Sequence, residues 1–289
     1  QSGWSPIASE SIEKAIKMNG VAVTQNTHAF NIGRKVVADP HWVDTINLYR
    51  SGSLASKPIL SPEASILIDS ISPDKELRRI LEYRTQELIE YQNSSFAKQY
   101  IDFVGNIYEK EKKTRSSSDL TQNVAKYLFK LMATKDEYEV ARLSLKAELD
   151  TAISQEFGKS AKINYMLHPP FLKAMENIPV LNMLPGVKSK LALGSWFKVF
   201  YVMLKNMKFL RGTPLDFMAW FSSDVRKADN KALNHYKSIL TDNLDEIGNG
   251  KYQDLKEFSV LPDIIRGYEE VRLETMTEYY KKSDNLFKS

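Results

Sequence analysis

Apolar residues recur at three- and four-residue steps through most of this chain, the spacing that lines one face of an α-helix. From Asp74 to about Lys112 the stripe runs through Leu77, Ile80, Leu81, Arg84, Leu88, Tyr91, Phe96, Tyr100, Phe103, Val104 and Ile107. It predicts one long amphipathic helix, or two that break at the Gln-Asn-Ser-Ser stretch of 92–95. Leu120, Val124, Tyr127, Leu128 and Leu131 mark the next helix, with Ser118 or Asp119 as its cap. From Met132 that helix either continues or gives way to another after Thr134. Upstream, one helix capped by Ser9 or Ser11 should stop at Gly20, and a second should stop at Pro40.

Residues 51–73 are rich in Ser, Gly and Pro and predict an extended linker between a helical segment, 1–50, and a larger helical domain, 74–289. Period two appears near 161–168, where Ile163, Tyr165 and Leu167 alternate with Lys162, Asn164 and Met166, so a short strand or hairpin is expected there. Residues 194–210 are apolar nearly all round, the mark of a central core helix. Three further helices are expected at about 214–247, 251–261 and 263–287. Strand-like sequence is too scarce for βαβ units, so the fold class is predominantly α, an irregular multi-helix domain.

Composition narrows the function classes. With 43% hydrophobic and 26% charged residues, the 289-residue chain reads as a soluble globular protein. Its net charge of +4 is small and evenly scattered, which argues against nucleic acid or an anionic membrane as partner. There is no cysteine, so disulfides, thiolate zinc sites, cysteine nucleophiles and cysteine-ligated clusters are excluded within these residues. Leu191 to Leu210 is the strongest candidate membrane span, but Lys198, Lys205 and Lys208 would each cost ~3 kcal/mol near a bilayer centre, and a buried protein helix is expected instead. No secretory signal precedes the first helix, and the chain opens on Gln1, as a fragment or processed product would. The expected location is the cytoplasm.

Catalytic motifs are scarce. His28, His41, His168 and His235 lack the spacing of a metal site, and His41 and His168, beside prolines, read as loop hydrogen-bonders. No G-x-S-x-G elbow and no glycine-rich phosphate loop occurs. Two stretches hold candidate chemistry. The first packs Lys135, Asp136, Glu137, Glu139 and Arg142 into eight residues, with Asp136 and Glu139 one helical turn apart and Glu139 and Arg142 an i, i+3 pair. Paired carboxylates can do acid–base work, although a solvated, ion-paired helix start is the expected reading. The second stretch, Phe209 to Trp220, combines Arg211, Gly212, Thr213, Pro214 and Asp216. Gly212 suits a left-handed helix stop, Thr213 and Pro214 suit the cap and first position of a new helix, and Asp216 then falls in its first turn. In a functional reading, Arg211 pairs with Asp216 in the interior or meets an anionic partner.

Several blocks, taken in order, resemble the indolepyruvate ferredoxin oxidoreductase family. "AIKMNGVAVTQNTHAFNIGRKVVADP" is similar to the end of its gamma-type domain. "LIEYQNSSFAKQYIDFV", "VAKYLFKLMATKDEYEVARL", "LHPPFL", "FLRGTPLDF" and "LPDIIRGYEEVR" resemble the helical domain that ends its long, single-chain members. The resemblance implies a C-terminal region of an enzyme that uses thiamine diphosphate and magnesium to decarboxylate indolepyruvate or a related aryl 2-oxo acid. It further implies that iron–sulfur clusters pass the electrons to ferredoxin and that coenzyme A takes up the acyl group. Cofactor ligands would lie in upstream domains, with those domains as this chain's partners, and a homodimer is compatible with the reading. The positions that recur in the resembling family are Asn19, Gly20, Tyr91, Gln92, Asn93, Lys135, Asp136, Glu137, Glu139, Arg142, Pro169, Pro170, Arg211, Gly212, Thr213, Pro214, Asp216, Arg266 and Gly267. The alternatives are a stand-alone helical protein-interaction module, or an active site made of the 135–139 carboxylates and Arg211.

Overall fold

The computed structural model describes residues 7–39, 59–157, 164–167, 191–216, 218–219, 223–267 and 269–287. By backbone contacts the chain divides into two units, Gln1–Lys57 and Pro58–Ser289. The first holds α1 (Ser9–Asn19) and α2 (Val23–Ala38), with no buried residue in either helix. Ala8 occupies the N-cap of α1 without a side-chain bond, and the Ser9 hydroxyl turns to Glu10 instead of capping. Gly20 closes the helix as expected.

The second unit opens with α3 (Pro62–Asp69), inside the stretch expected to be extended. The Ser61 hydroxyl accepts the Ala64 N–H at 3.2 Å, Pro62 fits the first helical position, and Ala64 and Ile68 are buried. The long stripe divides where the polar stretch suggested, into α4 (Lys75–Tyr91) and α5 (Ser94–Thr114). Asp74 accepts the Leu77 N–H and Asn93 the Phe96 N–H, both at 2.9 Å, so each helix starts on its own cap. The start of α6 (Asp119–Met132) differs from expectation, because Ser118 makes no capping bond. Glu111 of α5 does that work from outside, taking the N–H groups of Leu120 and Thr121 at 2.9 and 2.8 Å.

After α6 come α7 (Glu137–Ser144), α8 (Ala147–Phe157) and the strands β1 (Tyr165–Leu167) and β2 (Leu191–Leu193). The strands pair antiparallel, with Tyr165 opposite Leu193 and Leu167 opposite Leu191. The period-two stretch is therefore a strand; its partner was not legible. Next are α9 (Lys198–Asn206), α10 (Ser223–Asp242), α11 (Tyr252–Val260) and α12 (Glu269–Phe287). Within the expected helix 214–247, Thr213 to Asp216 forms a turn, Met218 and Ala219 are helical, and α10 runs from Ser223 to Asp242. The expected loop histidines, His41 and His168, lie outside the described residues, as do Pro169 and Pro170.

Two apolar clusters result. The main core gathers Leu77, Leu81 and Leu88 of α4, Tyr100 and Val104 of α5, Val124 and Leu128 of α6, and Tyr236, Phe258 and Tyr279 from the last three helices. Two buried tyrosine hydroxyls find acceptors, Tyr100 on the Ala125 carbonyl and Tyr236 on that of Ser259, each at 2.8 Å. Arg84, the basic member of the stripe, lies 5.6 Å from the Phe129 ring centroid. The smaller cluster joins Tyr138 and Ala141 of α7 to Phe197, Tyr201 and Leu204 in and before α9. Residues 194–210 are thus not a central core helix. They form α9 between two 3-10 turns, with one face on α7 and the other exposed. No described helix is long and apolar enough to cross a membrane.

The turn after α3 comes close to α5 at Gly105, where an added Cβ would stand 2.7 Å from Cγ2 of Ile71. Ile71 is β-branched and cannot swing that methyl aside cheaply. Gly105→Ala should therefore lower stability by about 1–3 kcal/mol, read as a fall in the urea midpoint. Adding Ile71→Ala to that variant should recover part of the loss.

Candidate functional site

The stretch from Lys135 to Arg142 begins as a helix cap. Asp136 has extended backbone, and its Oδ1 accepts the Glu139 N–H at 2.9 Å, which fixes the start of α7 and aims the rest of the carboxylate back across the chain. Arg211 meets it there. Its Nε donates to Oδ2 at 2.5 Å and its Nη2 to Oδ1 at 2.8 Å, a two-pronged pair between groups 75 residues apart. The remaining prong, Nη1, donates to the Tyr91 carbonyl at 2.6 Å and to Oε1 of Gln92 at 2.8 Å, at the end of α4. The guanidinium carbon lies over Tyr91, 3.7 Å from the ring centroid.

Arg211 can reach Asp136 because the chain turns sharply after α9. Gly212 has φ 75°, a left-handed conformation suited to glycine. The Thr213 hydroxyl donates back to the Leu210 carbonyl at 2.7 Å, so Thr213 closes this turn rather than capping a new helix. Asp216 does the capping. Its Oδ1 accepts the Ala219 N–H at 3.3 Å and the Tyr138 hydroxyl at 2.9 Å, and its Oδ2 accepts the Gly212 N–H at 3.1 Å and Nη1 of Arg226 at 2.8 Å. The expected Arg211–Asp216 pair is therefore not formed. Each has another partner, and Arg226 links the two halves by lying 3.9 Å from Asp136 and 2.8 Å from Glu137.

One turn further along α7, Arg142 collects three carboxylates. It pairs with Glu139 at 2.8 Å, with Glu87 at 2.6 Å and with Glu90 at 2.6 Å, and Lys146 adds a bond to Glu87. Lys208 donates to the Glu90 carbonyl at 2.6 Å and so caps the end of α4. These side chains are not the solvated helix start that the sequence suggested. Exposure of the side chain is 1% for Asp216, 5% for Arg142, 6% for Asp136 and 7% for Glu139.

The titration behaviour follows from this burial. At Glu87 burial alone would raise the carboxyl, but hydrogen bonds from Lys146 and Arg142 outweigh it and hold the group below its usual value. Burial pushes Glu137 up, against the pull of its own backbone N–H and Arg226. Burial works against the charge on Arg211, and the Asp136 bond more than restores it. Burial pushes the Tyr91 hydroxyl up to about 12, so it stays neutral.

Such an arrangement is poorly suited to catalysis. A general base needs a free lone pair and access to substrate, whereas Asp216 already accepts four donors and Asp136, itself enclosed, accepts three. What the network can do is hold a joint. Of the predicted residues, Asp136, Glu137, Glu139, Arg142, Arg211 and Asp216 converge in it. Lys135 is exposed, and Arg266 sits elsewhere, paired with Asp263 at 2.6 Å on the surface. Glu87, Glu90, Tyr138, Lys146 and Arg226 were missed. Glu87 carried one usable signal, a carboxylate directly beside Leu88 in the apolar stripe.

Removing one partner of a buried pair strands the other's charge, so Arg211→Ala or Asp136→Ala should each cost about 3–5 kcal/mol, and the double variant less than the two costs combined. Arg211→Lys keeps the charge but loses the fork and the guanidinium contact with Tyr91, and should cost about 2 kcal/mol. Glu87, held below its unfolded value, adds stability that is complete above about pH 4.3 and is lost as pH falls through the folded value. Glu87→Gln should be less stable at neutral pH and lose less stability than wild type between about pH 5 and 3. Denaturant melts across that range check all of these.

No curated protein matches the chain, and no solved structure matches it. The family of unknown function DUF6537 matches residues 77–285, a stretch that takes in α4 from its first turn, every residue of the ion network, and nearly all of α12. The chain belongs to that family.

Proposed function

We propose that this chain is the C-terminal region of a thiamine-diphosphate-dependent 2-oxoacid ferredoxin oxidoreductase acting on indolepyruvate or a related aryl pyruvate, and that it docks other domains of that enzyme rather than carrying chemistry. The ordered resemblance of its blocks supports the oxidoreductase reading. The docking role rests on the open side of α9. Trp196, Val199 and Phe209 are 67%, 77% and 68% exposed, with Val202 and Met203 beside them on α9. A run this apolar on a water-facing side is the usual mark of a protein interface. On its other side Tyr201 and Leu204 anchor it to α7, and the ion network holds α7 to the end of α4.

In this reading thiamine diphosphate, magnesium and the iron–sulfur clusters bind upstream domains, and ferredoxin and coenzyme A are partners of the whole cytoplasmic enzyme. There is no cysteine to ligate a cluster, and among the described residues no three His, Asp or Glu gather into a metal site.

The test uses the complete polypeptide that carries this chain in its cell. It should bind thiamine diphosphate and reduce a viologen dye when given indolepyruvate and coenzyme A. Val199→Glu should leave the melting temperature of the 289-residue chain within about 2 °C of wild type, since Val199 is exposed, and should lower turnover of the complete enzyme at least several-fold. A polypeptide without thiamine binding would overturn the oxidoreductase reading and leave the interaction module. Unchanged turnover in Val199→Glu would overturn the docking role.

A further inference from the structure

Arg84 interrupts the apolar stripe of α4, between the buried residues Ile80, Leu81 and Leu88. Its half-buried side chain runs toward α6, where the guanidinium carbon lies 5.6 Å from the Phe129 centroid. Nη1 donates to the Ile80 carbonyl at 3.3 Å, an oxygen that also serves the helix ladder. Nε is buried and bonds to no protein atom. Among the described residues Nη2 has no acceptor either, and the groups that act on the charge of Arg84 are the hydroxyls of Tyr100 and Tyr83. Burial keeps both hydroxyls protonated, and that of Tyr100 donates to the Ala125 carbonyl.

A guanidinium carries Nε–H and one N–H of Nη2 side by side, a two-donor edge that matches the two oxygens of a carboxylate. The buried arginines of the ion network both use that edge. Arg142 sets Nε and Nη2 on the two oxygens of Glu139, each at 2.8 Å, and Arg211 does the same with Asp136. In Arg84 this edge has no protein acceptor, although Nη1 is engaged and Nε is enclosed. A cation withdrawn from water without an opposite charge is costly, and burial accordingly pulls Arg84 below its ordinary value.

We propose that the Nε–Nη2 edge of Arg84 binds a carboxylate. Two parallel bonds satisfy the enclosed Nε and supply the missing opposite charge in one step, as Glu139 and Asp136 do for their arginines. The carboxylate belongs either to a small free acid or to an acidic side chain elsewhere in the complete polypeptide, and the two sources share this chemistry.

Sodium acetate titrated into the ¹⁵N-labelled 289-residue chain, with ionic strength held constant by chloride, tests the proposal through the Arg84 Nε–H resonance, assigned by its loss in Arg84→Lys. That resonance should move along a saturable curve with a midpoint on the order of 10 mM, the range that two charge-assisted bonds supply. Acetate should raise the urea midpoint of the wild-type chain. Arg84→Lys keeps the charge without the two-donor edge, Arg84→Met suits the apolar stripe, and both should lose most of that rise. A resonance that moves linearly to about 200 mM, or that chloride alone moves as far, overturns the proposal whatever the variants do. Phenylglyoxal modification of Arg84, followed by peptide mass spectrometry in the complete polypeptide, separates the sources. Modification that acetate slows identifies a free acid as the ligand. Modification slower than in the 289-residue chain and indifferent to acetate identifies an acidic side chain. Modification as fast as in the 289-residue chain and indifferent to acetate overturns the proposal.

Discussion

The two-pronged bond between Arg211 and Asp136 ties together what would otherwise be two separate pieces of structure. The main bundle ends α4 at Tyr91 and Gln92, and Arg211 grips both while its other face pairs with the cap of α7. α7 and α9 share a small apolar cluster of their own, too few residues to stand alone. Its connection to the bundle runs through charges. Burying them costs several kcal/mol per ion before any partner is counted, and the pairing recovers that only when nearly every donor and acceptor is matched. Here the matching is dense: Asp216 receives four donors and Arg142 reaches three carboxylates. An apolar joint of the same size could slide, whereas a fork on a carboxylate has one register. We regard that single register as the reason for charges at this position.

Holding α7 in register also holds α9, and this links the network to the surface. One side of α9 is anchored by Tyr201 and Leu204, and the other presents Val199, Val202 and Met203 outward. The polar residues that stand out in the sequence are thus interior parts, while the surface proposed for docking consists of ordinary apolar residues. A site of chemistry would have the reverse arrangement, with polar groups open and apolar ones packed around them.

Local features were legible in the sequence because their physics is local. The polar break at 92–95 separates two helices, since Asn93 takes the Phe96 N–H; the Asp136 cap is equally local, although its carboxylate reads in the sequence as an ion-pairing group. Glu139 and Arg142 pair across one turn, as their spacing requires. The distant partners had no such signature. Arg142 meets Glu87 across 55 residues and Arg211 meets Asp136 across 75, and nothing in the spacing of either predicts it. The error at 194–210 has a related cause. A helix apolar all round is normally enclosed, but the sequence does not say which segments of the chain come to lie against it. Thr213–Pro214 failed differently, because the Leu210 carbonyl took the hydroxyl that a helix start would have used.

The central claim is that the buried ion pairs weld α7 and α9 to the bundle, and native-state hydrogen exchange in Asp136→Ala tests it most directly. Amides from Tyr138 to Arg142 and from Tyr201 to Leu204 should lose protection together, by roughly the free energy of the broken pair, about 3–5 kcal/mol. Amides at Tyr100 to Val104 and Val124 to Leu128, deep in the main core, should keep most of theirs. An equal loss across both sets, or none in α7 and α9, would contradict the account.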